Sequence, residues 1–350
     1  MAVATSKLAG RIGWIDAARA LGACAIVVLH VFVSTGLNVE LNTHRQVAYA
    51  VAGIVGCRWA VPAFFMLTGH LMLDPSRDVT AASALRHAKR MLLAIAVFGT
   101  AFACMEEVWV RVSSGVPIEP SIALVILADV LTMRTWDHLW FVYAMVGVYL
   151  AVPLLRLLQE RLGDVGFARL TMALFVLVLV VPTLLGGFPM AGPISSFLGN
   201  TAIGITCCCL GGCLRKWELT PAWIAAGVGS AIIMVMVSIG GIGTGRGDQG
   251  FVFLQGSCFA SAYAIMLLLF LRRFVGDGAL PAESPVNDLA RDSFGIYLIH
   301  PLFIHVFFIV MSAPPMVPVL YEASLAAAVL TASVVATRAL RRIPLLMHVL

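Results

Sequence analysis

The sequence is poor in charge. Only 12% of its 350 residues are Asp, Glu, Lys or Arg, about half the share of an average soluble domain. It also contains no internal repeat, no low-complexity linker and no appended polar domain. These absences exclude a disordered chain, a collagen-like chain and a coiled coil. The net charge of +5 is attributed to basic loops of a membrane protein and not to nucleic-acid binding, so no nucleic-acid partner is expected.

Metal-binding cysteine patterns are missing as well. The eight cysteines lie inside apolar stretches, and none of them has the paired spacing of a zinc site. A metal or redox role for the run Cys207-Cys208-Cys209 is the weaker alternative, because small polarizable side chains commonly pack between helices in lipid. We therefore expect no metal site.

What the sequence has in abundance is apolar surface. Hydrophobic residues make up 61% of the chain and the mean hydropathy is +0.97, more than one water-soluble core can bury. A helix needs about 20 apolar residues to cross a bilayer. Stretches of that kind occupy residues 17–36, 50–73, 90–110, 138–158, 168–187, 194–214, 222–242, 251–271, 294–312 and 318–338. The sequence predicts an all-α, polytopic membrane protein with about ten transmembrane helices, formed by residues 1–350 as a single domain.

The distribution of basic residues predicts the orientation. Most of the 23 lysines and arginines fall in the segments on the side of both termini, and four fall on the other side: Arg45, Arg111, Arg134 and Arg246. This asymmetry places both termini in the cytoplasm. The apolar stretch 119–133 is too short to span and is read as a re-entrant or interfacial helix.

Ionisable residues inside the spans are the most informative ones, because inserting each of them costs about 2.5–3.5 kcal/mol. Arg19 and His30 are eleven residues apart in the first span, so they share one helical face and lie roughly 16 Å apart along the helix axis. Arg58 lies in the second span at a depth similar to that of His30. A nearby guanidinium disfavours a second positive charge and keeps the imidazole neutral, as a general base requires. The alternatives are that His30 only bonds across helices and that Arg58 pairs with Glu106 or Glu107.

Two further histidines stand in aromatic segments. His138 opens the fourth span and fits either an aromatic belt at the membrane interface or a substrate-lining position. His300 precedes Pro301, and His305 is interpreted as structural. In the segment Pro62–Gly69 (PAFFMLTG), small residues permit either close helix packing or the approach of a ligand to the backbone.

Together these motifs resemble the integral membrane acyltransferase type 3 family. The resemblance rests on the Arg19-x10-His30 spacing, on Arg58 followed by PAFFMLTG, on HLWFVYAMVGVYLAVPLL at 138–155 and on SFGIYLIHPLF at 293–303. HLWF and YLIHP fit the branch that resembles surface-polysaccharide O-acetyltransferases. The family implies an acetyl-CoA or similar acyl-CoA donor, reached from the cytoplasm, and a hydroxyl acceptor on a cell-envelope glycan or lipid-linked saccharide.

The resemblance also implies roles for individual residues. By position, Arg19 and His30 carry over as the family's essential pair and Arg58 as its second-span arginine. Of these, His30 and Arg58 are expected to be catalytic. The expected substrate-binding residues are Arg19, Thr68, His138, Trp140, Tyr143 and His300. Acetyl-CoA is expected as a donor substrate and no resident cofactor is expected. The resemblance further implies a multi-pass protein of the bacterial inner membrane.

Two other functional classes compete with an acyltransferase. A secondary transporter or flippase of a glycan or lipid is the main alternative, but it typically shows inverted repeats with interrupted helices, which the sequence lacks. A structural membrane subunit has no need for Arg19, His30 and Arg58 inside its first two spans.

Overall fold

The computed structural model describes residues 11–38, 53, 55–185, 193–243, 256–310 and 319–350, and within these ranges it is helical and contains no strand. The all-α class predicted from the sequence is confirmed. The first twelve α-helices of the described residues are α1 (Gly13–Asn38), α2 (Ala60–Met72), α3 (Ala81–Ala94), α4 (Thr100–Ser113), α5 (Ile122–Leu131), α6 (Trp140–Leu174), α7 (Val181–Leu185), α8 (Pro193–Cys213), α9 (Pro221–Gly243), α10 (Cys258–Val275), α11 (Pro285–Val310) and α12 (Val319–Leu340). A short helix, α13 (Pro344–Met347), follows.

Seven of the described helices are long and apolar enough to cross a membrane. One of them, Trp140–Leu185, has 46 residues, which is about twice the length that a single crossing needs. Its backbone leaves the helical conformation at Gly163, where φ is 63°, a value that glycine adopts at little cost. The predicted spans 138–158 and 168–187 lie on either side of this break. The total of ten spans and the cytoplasmic position of both termini stay predictions.

Some predicted spans run beyond the described residues. Their parts at 50–52, 54, 186–187, 251–255, 311–312 and 318 lie outside the described ranges, as do Arg45 and Arg246. The predicted interfacial segment 119–133 contains α5, a ten-residue apolar helix with no buried residue. Two π-helical turns, Ile95–Gly99 and Phe175–Val180, interrupt regular helix in the third span and after α6.

The first helix lies at the centre of the packing. Helix α1 contacts α2, α10, α11 and α12, and its residues Trp14, Ala18 and Ile26 belong to the main buried core. Because α1 is surrounded on several sides, its polar side chains face the interior of the bundle and not lipid.

Helices α2 and α8 approach each other with almost no side chain between them. A Cβ atom built on Gly69 would lie 1.8 Å from the carbonyl oxygen of Cys208, and one built on Gly211 would lie 1.9 Å from that of Met66. The glycine of PAFFMLTG is therefore used for helix packing, which was one of the two alternatives for this segment. The cysteine run lies on the opposing helix and is fully buried, with Cys208 against Gly69 and Cys207 against Ser261 of α10.

Candidate active site

A cavity of about 560 Å³, here called the histidine cavity, contains the predicted catalytic pair. His30 of α1 and Arg58, which precedes α2, both line it, together with His138. The remaining polar residues of its lining are Ser34, Glu106, Asp129, Arg134, Thr135, Trp136 and His305. Polar and ionisable side chains therefore line this cavity, although the helices around it are apolar. Such side chains are typical of an internal site in a membrane protein.

Three histidines form a cluster at this cavity: His30 and His138 line it, and the fully buried His300 contacts both of their rings. The ring centroid of His30 lies 4.9 Å from that of His300 and 6.5 Å from that of His138, and the His138 and His300 centroids are 5.7 Å apart. These residues come from α1, from the 3₁₀ turn Asp137–Leu139 and from α11. Among the described residues, no group of three or more His, Cys, Asp or Glu side chains is arranged to hold a metal ion.

Arg58 occupies a turn where the helical path of the second span is broken. Val55–Cys57 are helical, Arg58 and Trp59 form a turn, and α2 begins at Ala60. The Arg58 side chain is buried, with 6% exposure. The two glutamates considered as its partners have contacts of their own: Glu107 lies 3.5 Å from Arg111, and Glu106 accepts a hydrogen bond of 3.3 Å from Trp136.

The rim of the histidine cavity is held by a stack of three rings. Trp136 lies between Phe102 and His305, with centroid distances of 4.3 and 4.4 Å and interplanar angles of 4° and 14°. His305, interpreted from the sequence as structural, does have this stacking role, but it also lines the same cavity as His30. The stack joins α4, the segment before α6 and α11 at one place.

A second region of open space, here called the arginine cavity, lies near the start of α1. It consists of two adjoining pockets of about 350 and 240 Å³ that share Arg19, Ala290 and Arg291. Arg11 and Arg77 line the first pocket, and Arg90 lines the second. Asp16 is the acidic residue in this lining, and it is bound by Arg11 at 2.8 Å. The surplus of guanidinium groups makes this space suited to a polyanionic ligand.

A thin wall separates the two cavities. Tyr297 and Phe141 line the arginine cavity, and their rings contact each other with centroids 5.3 Å apart. The Tyr297 hydroxyl donates a hydrogen bond to the main-chain carbonyl of His138, which lines the histidine cavity. His300 is fully buried between them. Helix α1 passes along this wall and presents Arg19 to one cavity and His30 to the other.

The other residues singled out from the sequence are placed as follows. Thr68 lines the arginine cavity, and its hydroxyl donates to the carbonyl of Phe64 at 3.0 Å. Tyr143 donates to the carbonyl of Val130 at 2.6 Å and so holds α5. Trp140 packs edge-on against Phe141 with centroids 6.3 Å apart. Neither Trp140 nor Tyr143 is part of the lining of the two cavities, and their substrate-binding role stays a prediction.

Sequence reasoning missed Tyr297, Arg90 and Arg291. One signal was available for Tyr297, because Tyr297 and His300 are three residues apart and therefore share a helical face. Arg90 and Arg291 are basic residues that flank predicted spans, and their exposure to a common cavity has no sequence signature.

Comparison with known proteins decides the family. A family model described as an acyltransferase domain matches residues 12–338. The chain belongs to the acyltransferase type 3 family. The resemblance inferred from the motifs is thereby confirmed, and the protein is a membrane acyltransferase. No curated protein and no solved structure gives a significant match to this acyltransferase.

Membership also bears on the competing classes. An acyltransferase type 3 domain over residues 12–338 favours a group-transfer enzyme over the transporter and the structural subunit considered from the sequence. The roles of His30, Arg58 and the substrate-binding residues in this acyltransferase stay predictions, to which the geometry adds their positions.

Proposed function

We propose that the protein transfers an acetyl or similar acyl group from acyl-CoA, bound in the arginine cavity, to a hydroxyl of a cell-envelope glycan or lipid-linked saccharide in the histidine cavity. The enzyme is a multi-pass protein of the bacterial inner membrane in this proposal. The observation that carries it is the position of α1, which presents Arg19 to one cavity and His30 to the other. The thioester end of a donor held at Arg19 then has to pass the Tyr297–Phe141 contact to reach His30.

The chemistry of the arginine cavity supports an acyl-CoA donor. The phosphates of CoA are polyanionic, and guanidinium groups bind phosphate oxygens through paired hydrogen bonds. Arg11 and Arg77 line only the first of the two pockets, here called the outer pocket. The second, inner pocket has a smaller share of charged residues and contains Phe64, Met145 and Phe294 in its lining. Such a gradient fits a ligand with a charged head and a less polar arm that leads to a thioester. The basic asymmetry of the loops puts this cavity on the cytoplasmic side in the predicted orientation.

The histidine cavity suits a hydroxyl acceptor. His30 is only half-buried, so its ring is accessible from the cavity. In the proposed reaction, His30 removes the proton of the acceptor hydroxyl, the oxygen attacks the thioester carbonyl carbon, and the C–S bond breaks as the C–O bond forms. The proton on His30 then passes to the departing thiolate, which leaves as free CoA thiol. Arg58, buried in the same cavity, is placed to stabilise negative charge on the carbonyl oxygen in the transition state.

The test is acyl transfer by the purified protein in detergent. With acetyl-CoA and envelope polysaccharide from cells that lack the gene, we expect release of free CoA thiol together with acetylated glycan. His30→Gln is expected to lower kcat by at least about a hundredfold, the range that general base catalysis supplies. His348→Gln is the matched control, because His348 is exposed and lies outside both cavities. Equal activity of these two variants, both folded, would remove His30 from the chemistry.

The acceptor is identified by mass spectrometry of surface glycans from cells with and without the protein. A mass difference of one acyl unit on a saccharide gives both the acyl group and the acceptor. An unchanged set of glycans, combined with acyl-CoA turnover on a non-carbohydrate hydroxyl, would keep the acyltransferase and overturn the glycan acceptor.

A further inference from the structure

The His300-Pro301 pair has a defined consequence for the histidine ring. Proline has no N–H, so Pro301 cannot donate the helical hydrogen bond to the carbonyl of Tyr297, four residues earlier in α11. Nδ1 of His300 takes this place: it lies 2.8 Å from the Tyr297 oxygen and 3.0 Å from that of Ile296. Both partners are carbonyl oxygens, which only accept hydrogen bonds. Nδ1 therefore carries the proton.

The other nitrogen of the ring is then a bare acceptor. In a neutral imidazole only one nitrogen is protonated, so Nε2 of His300 presents a lone pair. The side chain is 0% exposed, and Nε2 has no hydrogen-bond partner among the described residues. A buried acceptor without a partner is unfavourable by about 1–3 kcal/mol. Such an atom in an otherwise well-packed wall indicates a partner that engages only during the reaction.

The two neighbouring histidines differ in their ability to be that partner. Nε2 of His138 lies 3.2 Å from the carbonyl of Leu298 and donates its proton there, so the neutral ring of His138 has no proton left for His300. The His30 ring is closer, with its centroid 4.9 Å from that of His300 and the two planes tilted by 50°. This separation is near that of two imidazole rings joined edge to edge by one N–H···N hydrogen bond. His30 faces an open cavity and has room to rotate.

We propose that His300 is a positioning residue for His30. Its Nε2 accepts the N–H of His30 and so directs the other, unprotonated nitrogen of His30 into the histidine cavity, towards the acceptor hydroxyl. When His30 takes the proton of that hydroxyl, the hydrogen bond to His300 holds the positively charged ring until the proton leaves with the CoA thiol. This assignment rests on the proposed function, because His30 is the base in that reaction. Pro301 contributes to this positioning, because it determines which nitrogen of His300 is protonated and which one can accept the hydrogen bond from His30.

Two isosteric substitutions separate this role from a structural one. The amide of asparagine overlaps the Nδ1 position of histidine and keeps a donor for the Tyr297 carbonyl, whereas the amide of glutamine reaches the Nε2 position. We expect His300→Gln to keep kcat within about tenfold of the wild type and His300→Asn to lower it by at least a hundredfold, with the KM for acetyl-CoA unchanged in both. Retention of activity by His300→Asn, or an equal loss in both variants, would overturn the proposal.

A spectroscopic readout makes the result independent of turnover. In protein labelled with 15N-histidine, we expect His300 to show a protonated Nδ1 and a bare Nε2, and we expect the His30 resonances to shift in His300→Asn but not in His300→Gln. Unmoved His30 resonances in both variants contradict the positioning role even if acyl transfer is observed. Conversely, absence of acyl transfer by the wild type refutes the proposed function while the spectra still report on the pair.

A third variant covers the case in which either substitution prevents folding. Pro301→Ala restores an N–H for the Tyr297 carbonyl and releases Nδ1 of His300, so that both tautomers become populated. We expect kcat to fall by about tenfold, with a new His300 tautomer visible in the 15N spectrum. Unchanged kcat together with the new tautomer would overturn the role of the bare Nε2.

Discussion

The hydroxyl of Tyr297 donates a hydrogen bond to the main-chain carbonyl of His138, and this one contact joins the lining of the arginine cavity to that of the histidine cavity. It also ties α11 to the turn that precedes α6. Because the His138 carbonyl lies inside the wall, loss of its donor leaves a buried acceptor unsatisfied.

Tyr297→Phe is therefore expected to lower the free energy of unfolding by about 1–3 kcal/mol while keeping the ring in place. The measurement is thermal unfolding of the purified protein in detergent. Tyr321→Phe is the matched control, since the buried Tyr321 hydroxyl has no partner among the described residues and its removal should be neutral or stabilising. Destabilisation of both variants to the same extent would contradict the assigned hydrogen bond.

The crossing of α2 and α8 gives a second prediction. Gly69→Ala and Gly211→Ala each force a methyl group against backbone atoms less than 2 Å away, at Cys208 and Met66 respectively. We expect each to destabilise the protein by at least about 2–3 kcal/mol, because backbone cannot move aside as a side chain can. In Gly229→Ala of α9 the methyl group meets no atom within 4 Å, and a gain of about 0.5–1 kcal/mol is expected. The measurement is the unfolding midpoint of each of the three variants. Equal midpoints for all three would contradict the close contact of α2 and α8.

A buried carboxylate holds α11 to α12. The Asp292 side chain is 0% exposed, and it accepts hydrogen bonds from Arg338 at 2.8 Å and from Arg341. Asp292→Asn removes the buried charge that both guanidinium groups share and leaves Arg338 only its 3.7 Å contact with Asp288, so it is expected to cost about 3 kcal/mol of stability. Asp288→Asn, at a half-exposed position that pairs with Arg291 and more distantly with Arg338, should cost less than about 1 kcal/mol. Similar midpoints for both variants would show that the Asp292 network does not stabilise the fold.

Acid sensitivity is predicted at the turn after α2. Burial raises the pKa of the Asp74 carboxyl, but hydrogen bonds from Ser76 and the guanidinium of Arg215 outweigh it and hold that pKa below its usual value. A lowered folded-state pKa contributes stability above the unfolded-state pKa and loses it as pH falls through the folded-state pKa. The difference in unfolding midpoint between neutral pH and pH about 3 should therefore shrink in Asp74→Asn. It should be unchanged in Asp78→Asn, an exposed control in the same loop.

The sequence was most informative where a single helix carries the signal. Hydropathy predicts α1, α8, α9 and α12 because the share of apolar residues in each alone decides whether it is stable in lipid. In the same way, the spacing of Arg19 and His30 placed both on one face of α1, and the structure shows one face serving two cavities. These features depend on local geometry and on composition.

Features that arise between helices were out of reach. The contact of His30 with His300 depends on how α11 packs on α1, and the stack on Trp136 depends on three separate segments. Neither the break at Arg58 nor the π turn at Ile95–Gly99 contains a proline, the residue that would have predicted an interruption of the helix. Tertiary packing, which a single sequence does not display, determines all four.

Substitutions of Arg19 test whether the acyl-CoA donor binds in the arginine cavity. It lines both pockets of the arginine cavity, so a phosphate-bearing ligand that reaches the inner pocket passes it. A hydrogen bond to a charged group contributes about 1.5–3 kcal/mol. Arg19→Gln should therefore raise the KM for acetyl-CoA by roughly ten- to a hundredfold, with a smaller effect on kcat. Arg19→Lys should recover part of the lost affinity for acetyl-CoA through its charge alone.

The control is Lys89→Gln, which removes an exposed positive charge next to Arg90. If Arg19→Gln instead lowers kcat at unchanged KM, Arg19 acts in the chemistry and the donor phosphates bind elsewhere.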